Sequence, residues 1–194
     1  MGSVVELRPR QREDFTSSLG MIIFLASWAM MFSALFFSYA FVRTRSVMWP
    51  PPGTPALPIV MPALNTLVLL ASSFTFARGL GELKRGRRSA LSAWVAATMV
   101  LGITFLTLQV SVWRSVARSG LQISDGIFGG VFYGLTAFHA LHVAVGLLIL
   151  LWVFARSLQG LYSEHNYINV RLCTMFWHFV DVVWILMFVS IYLL

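Results

Sequence analysis

Between Phe15 and Val42 no side chain carries a charge. That run restricts the fold more than any other feature of the chain. In hydrocarbon every backbone N–H and C=O must find its partner inside the protein, and a helix does so within one segment. About 20 apolar residues span a hydrocarbon core of about 30 Å in that form. Four further blocks of the same character follow, and the five helices are expected at about 15–42, 58–77, 89–113, 126–154 and 172–194. The fold class is therefore all-α integral membrane, a bundle of five transmembrane helices. Residues 1–18 form a polar tail, expected to be mobile as far as Asp14, and 19–194 form a single membrane domain. Composition agrees: 58% of residues are apolar and 11% charged, whereas about a quarter are charged in a soluble domain.

The connections set the orientation. The tail and the loops at 78–88 and 156–171 hold Arg8, Arg10, Arg12, Arg78, Lys84, Arg85, Arg87, Arg88, Arg156 and Arg171, while the opposite side holds Arg43, Arg45, Arg114 and Arg118. Lysine and arginine concentrate on the cytoplasmic side, which places the N-terminus in the cytoplasm and the C-terminus outside, in the periplasm of a bacterium. The net charge of +7 sits in these loops, so anionic lipid headgroups rather than nucleic acid are its counterparts. Prolines 50, 51, 52 and 55 make the first outer connection a stiff, exposed loop. Trp49, Trp113 and Trp152 mark the membrane interfaces. The first block starts behind a polar tail and is too long for a cleaved signal peptide.

The single cysteine, Cys173, excludes a disulfide or a thiol metal cluster within the chain and is expected to be a small apolar filler. No His-Glu-x-x-His pattern is present, which removes a metal hydrolase of that kind. No internal repeat stands out, which argues against an inverted-repeat transporter.

Chemistry concentrates in the last two helices. In Met175 to Ile185 an aspartate, Asp181, lies ten residues beyond Arg171, about 15 Å along the helix. A carboxylate at that depth must face protein or a wet cavity. His178 precedes it by three residues and shares its face. In helix 4, His139 and His142 are also three apart, and the pairs Gly130/Gly134, Ala140/Ala144 and His142/Gly146 have the four-residue spacing that lets helix backbones approach. His142 and Asp181 come out at similar depths, so Asp181 is expected to be held by His178 and by a helix-4 histidine. Alanine at Asp181 is then expected to strand a donor and damage folding. Two other readings stay open on these residues: a proton or substrate path past His142 and Asp181, and a b-type haem with His139 or His142 opposite His178. Asn65, with Thr66, and Gln109 are expected to bond between helices. Arg171 is placed to grip a lipid phosphate or to snorkel.

Phe176-Trp177-His178-Phe179-Val180-Asp181-Val182-Val183-Trp184 closely resembles the signature near the C-terminus of subunit III of the haem–copper oxidases. Phe132-Tyr133-Gly134-Leu135-Thr136-Ala137-Phe138-His139-Ala140-Leu141-His142-Val143, followed by Gly146, resembles the family's other signature. Leu64-Asn65-Thr66 through Ser72-Ser73, and Gly102 through Phe105 to Gln109, match as well. The resemblance runs from helix 1 onward and fits the short five-helix bacterial form. It implies a non-catalytic subunit of a cytochrome c oxidase, a proton-translocating complex that reduces O2 to water, in the bacterial plasma (inner) membrane. It implies no catalytic residue, haem or metal in this chain, with haems and copper in partner subunits, direct contact with subunit I, association with subunit II and with a small subunit IV where one is present, and bound phospholipid. His139, His142, His178, Asp181, Asn65 and Gln109 then become a structural polar core. Subunit III of a bo-type quinol oxidase and a nitric oxide reductase homologue are the alternatives within the class. A stand-alone scaffold or lipid-binding protein and a small transporter are those outside it.

Two positions depart from the family. Where it usually has a glutamate after a serine in helix 1, this chain has Ser27-Trp28, and three residues after Gln109, where a second glutamate is usual, it has Val112. Roles built on those acids do not transfer, and Trp28 is expected to fill volume instead.

Overall fold

The computed structural model describes residues 9–194 apart from Asp125, with side chains from Arg12 onward. Five helices follow one another: α1 (Pro9–Arg45), α2 (Val60–Lys84), α3 (Arg88–Arg118), α4 (Gly126–Leu158) and α5 (Ile168–Phe188), the last closing in a wider π-type turn at Val189–Leu193. All five are long and apolar enough to cross a membrane.

Each helix exceeds or shifts its expected bounds, for one physical reason. A run of charge marks where hydrocarbon ends, whereas a helix ends where its backbone bonds do. α2 therefore carries Arg78, Glu82 and Lys84 within it, α3 continues past Arg114, and α4 includes Arg156. α1 starts at Pro9, inside the expected polar tail, and proline suits the first position of a helix because it has no N–H to leave unbonded. The tail before Pro9 lies outside the described residues. At 1.5 Å per residue α1 is about 55 Å long and overruns the bilayer at both ends. Hydroxyls are tolerated along it because Ser27 and Ser33 donate to Phe24 O and Ala29 O at 2.7 Å, so neither is left unpaired in lipid.

The loop after α1 is not simply exposed. Trp49 turns inward and meets Tyr39 and Phe128 edge-on, with ring centroids 5.8 and 5.2 Å away. α2 and α3 form a tight hairpin, turned within Arg85–Arg87 and fastened by the hydroxyls of Thr75 and Thr98 at 2.9 Å. On its inner side Glu82 pairs with Arg87 and, at 3.4 Å, with Arg85. α5 packs against α1, α2 and α4, which makes it the centre of the bundle. α1 lies along α5 and meets α4 through Trp28 and Phe32; Phe32 and Tyr39 are its buried apolar side chains, while Ile23, Met30 and Phe37 are exposed. Tyr39 donates to Ser190 O at 2.7 Å, and Arg43 donates to the Leu194 carbonyl. These bonds tie the C-terminal end of α1 to Ser190 and Leu194.

Candidate functional site: the polar and aromatic core around α5

α5 is joined to α2 by three side-chain hydrogen bonds. Trp177 Nε1 donates to Ser72 Oγ at 3.0 Å, His178 Nδ1 lies 2.9 Å from Ser73 Oγ, and Trp184 Nε1 donates to Thr66 Oγ1 at 2.9 Å. The ladder follows from two antiparallel helices: Trp177 and Trp184, seven residues apart, share one face of α5, and their acceptors Ser72 and Thr66, six apart, lie along α2 beside Ser73.

Trp177 is the most enclosed member. Its indole lies between Gly102 of α3 and Gly146 of α4. A Cβ at Gly102 would come within 2.9 Å of Trp177 Cη2, and one at Gly146 within 2.9 Å of Cζ3 and 3.1 Å of Phe176 Cε1. These contacts are with rigid rings that cannot bend away. Gly146→Ala is therefore expected to cost about 1–3 kcal/mol through overpacking, which unfolding of the purified chain in detergent would measure. Gly146 is thus used for close approach, as is Gly129 near the start of α4, where a Cβ would collide with the backbone carbonyl of Gln122. A Cβ at Gly134 would meet nothing within 4 Å, contrary to the expectation from its spacing with Gly130.

The expected arrangement around Asp181 is not formed. His178 turns to Ser73 and is exposed at the bundle surface rather than lying in the core. His142 Nδ1 donates to Phe138 O of its own helix at 2.6 Å. Asp181 is 4% exposed, and neither of its oxygens has a hydrogen-bond partner among the described residues. His178 is exposed whereas Asp181 is buried, so the two have different surroundings despite their three-residue spacing, and α2 supplies the hydroxyl that the imidazole bonds.

His142 is boxed by rings, with centroids 3.9 Å from Trp28, 5.0 Å from Phe32 and 4.7 Å from Phe138. Trp28 therefore does fill volume, with its ring edge-on to the imidazole. His139 is fully buried against Phe105 and Trp184, with centroids 5.9 and 5.3 Å away. Val112 is buried on α3. Asn65 Nδ2 donates to Gln109 Oε1 at 3.4 Å, linking α2 to α3, and the Tyr192 hydroxyl lies beside Gln109. Arg171 is exposed and forms no ion pair among the described residues.

These residues do not fit a haem between α4 and α5. Its required axial pair is split, since His178 bonds outward to α2 while His139 and His142 are sealed by aromatic rings, and the space between the helices is occupied by Trp177 and Trp184. No group of three or more His, Cys, Asp or Glu among the described residues could hold a metal ion. The arrangement instead fastens helices, by indole and imidazole bonds to hydroxyls and by ring contacts. Sequence reasoning missed the two indole bonds: the seven-residue spacing of Trp177 and Trp184 marked a shared face, but their acceptors, Ser72 and Thr66, are six apart and no matching period announced them. It also did not foresee that the indole Nε1 of Trp113 donates to Thr136 Oγ1 at 3.0 Å and joins α3 to α4.

Comparison with known proteins agrees with this architecture. The family described as cytochrome c oxidase subunit III matches residues 14–194. The chain is 37% identical over 176 residues to cytochrome c oxidase subunit 3 of Synechocystis sp., covering 90% of this chain and 74% of that one. It is 36% identical over 177 residues to the Thermostichus vulcanus protein of the same name, covering 91% and 86%. With the Rattus norvegicus protein of that name it is 36% identical over 179 residues, covering 89% and 67%.

Proposed function

The chain belongs to the cytochrome c oxidase subunit III family, and from that premise we propose that its five helices serve as a rigid, cofactor-free support for the catalytic subunit I of the oxidase. It is a non-catalytic, multi-pass membrane subunit of that complex. The observation that carries the supporting role is the way α5 spends its polar groups. Trp177, His178 and Trp184 are each bonded to a hydroxyl of α2, so the signature residues hold helices together.

The finer assignments follow from the same reading. The N-terminal end, with residues 1–18, faces the cytoplasm and Leu194 faces outward, in keeping with the bias of lysine and arginine among the loops. The likeness to the Synechocystis and Thermostichus proteins favours a bacterial plasma membrane. Subunit I is the direct neighbour, with subunit II and, where present, a small subunit IV further out. Haems and copper belong to those partners. Phospholipid fits the outer groove between α1 and α5, a cavity of about 500 Å³ lined by Phe36, Tyr39, Ala40 and Leu186 with Arg43 at its rim. Such a groove takes an acyl chain along its apolar wall and a phosphate at the guanidinium.

Purification from native membranes in mild detergent tests this reading. The chain is expected to travel with a larger haem-bearing subunit and with phosphorus-containing lipid. An oxidase that keeps full activity through prolonged turnover after this chain is stripped from it would remove the supporting role.

A further inference from the structure

His178 is the feature that the core leaves unexplained. It lies seven residues beyond Arg171 on α5, about 10 Å along the helix, and thus within the hydrocarbon. Its side chain is exposed, Nδ1 is engaged by Ser73, and no described residue bonds Nε2. Other exposed polar side chains in the spans solve this problem locally. Ser27, Ser33, Thr104 and Thr107 each return their hydroxyl to a carbonyl of their own helix. An imidazole has a second nitrogen, and its stem is too short to carry that nitrogen to the headgroups. Ionisable side chains in membrane spans face protein or water, not lipid.

The outward stripe of α5 runs Arg171, Met175, His178, Val182, Ile185 and Val189, exposed at all but the half-buried Met175. Any outward helix face repeats in this way. Beyond Arg171 at its start, this stripe carries one polar position, His178, followed by the β-branched Val182, Ile185 and Val189, a pattern in which one polar group can set the register of packed helices. Beside it on α2, one turn beyond Ser73, Ala77 is exposed, and a small residue there admits a close backbone.

We propose that the seam between α2 and α5 at His178 is the docking surface for a transmembrane helix of the haem-bearing catalytic subunit, whose hydrogen-bonding side chain meets His178 Nε2. The identity of that subunit rests on the function proposed above, whereas the position of the seam rests on His178 itself. A lipid tail offers no partner for the nitrogen.

A photo-crosslinking residue at Val182, one turn from His178, tests the seam in intact membranes. Illumination is expected to join this chain to the subunit that carries haem. His178→Leu is expected to lower retention of that subunit through detergent purification by about threefold to thirtyfold, the effect of one interhelical bond. His178→Asn, which keeps an outward polar group, is expected to retain it. Melting of each isolated variant chain separates loss of docking from loss of folding. Adducts only with lipid, or only with a second copy of this chain, would overturn the proposal, as would unchanged retention in His178→Leu. Failure of the underlying oxidase reading is recognised earlier, because the unmodified chain would then bring down no haem-bearing subunit.

Discussion

Trp177→Ala is expected to destroy the folded bundle. The indole fills the space between Gly102 and Gly146 and bonds to Ser72, so one side chain joins α5 to α2, α3 and α4. Truncating a fully buried tryptophan costs about 3–5 kcal/mol, a large part of the 5–15 kcal/mol that typically holds a protein folded. The glycines cannot close the gap, because they have no side chain to move into it. Trp177→Phe isolates the smaller loss: it keeps most of the ring, removes the N–H, and should cost about 0.6–2 kcal/mol for the bond plus the missing volume. The measurement is the yield of folded chain from membranes and its midpoint of unfolding in detergent. Normal yield and midpoint for Trp177→Ala would show that the ring is dispensable.

Asp181→Leu is expected to act in the opposite direction. A buried carboxyl with no hydrogen-bond partner is a cost to the fold, about 1–3 kcal/mol for a polar group by protein substitution data, and Asp181 has none among the described residues. Replacing it with an apolar side chain should raise the resistance of the isolated chain to heat or denaturant by about that amount. Asp181→Asn, which remains polar and unpaired, should gain less. The expectation formed from the sequence was that substitution at Asp181 strands a donor. In the structure none of the intended donors reaches it: His178 and His142 Nδ1 bond to Ser73 and to Phe138 O, and both ring nitrogens of His139 are without a partner among the described residues. A lower unfolding midpoint for Asp181→Leu would mean that the carboxyl has a partner after all.

The contrast between these two positions shows what a sequence can and cannot say. The five spans were legible because hydropathy and charge act locally, and the apolar runs leave a chain little else to become. The helix ends were less so, since charged residues such as Arg78 and Arg114 mark the edge of hydrocarbon while the backbone bonds continue past it. Three-residue spacing suggested a shared face for His178 and Asp181, but His178 is exposed and Asp181 buried. Which hydroxyl would compete for the imidazole depended on the register of α2 against α5, a relation between residues 105 apart that no single-helix pattern contains. The indole bonds lay between these cases: the seven-residue spacing of Trp177 and Trp184 was present in the sequence, but their acceptors Ser72 and Thr66, six apart on α2, were fixed only by the pairing of helices. At Trp28 a departure from a family pattern was informative, because a large ring in place of an acid implied packing, and its ring does pack on His142.

The central claim is that the deep histidines and tryptophans are fasteners and that this subunit carries no redox centre. A reduced-minus-oxidised spectrum of the purified 194-residue chain, separated from its partners, tests it most directly. The account predicts a featureless visible spectrum from a chain that still unfolds cooperatively, with all haem bands remaining in the partner fraction. Stoichiometric haem retained by the isolated chain, and lost on His139→Ala, His142→Ala or His178→Ala, would contradict it.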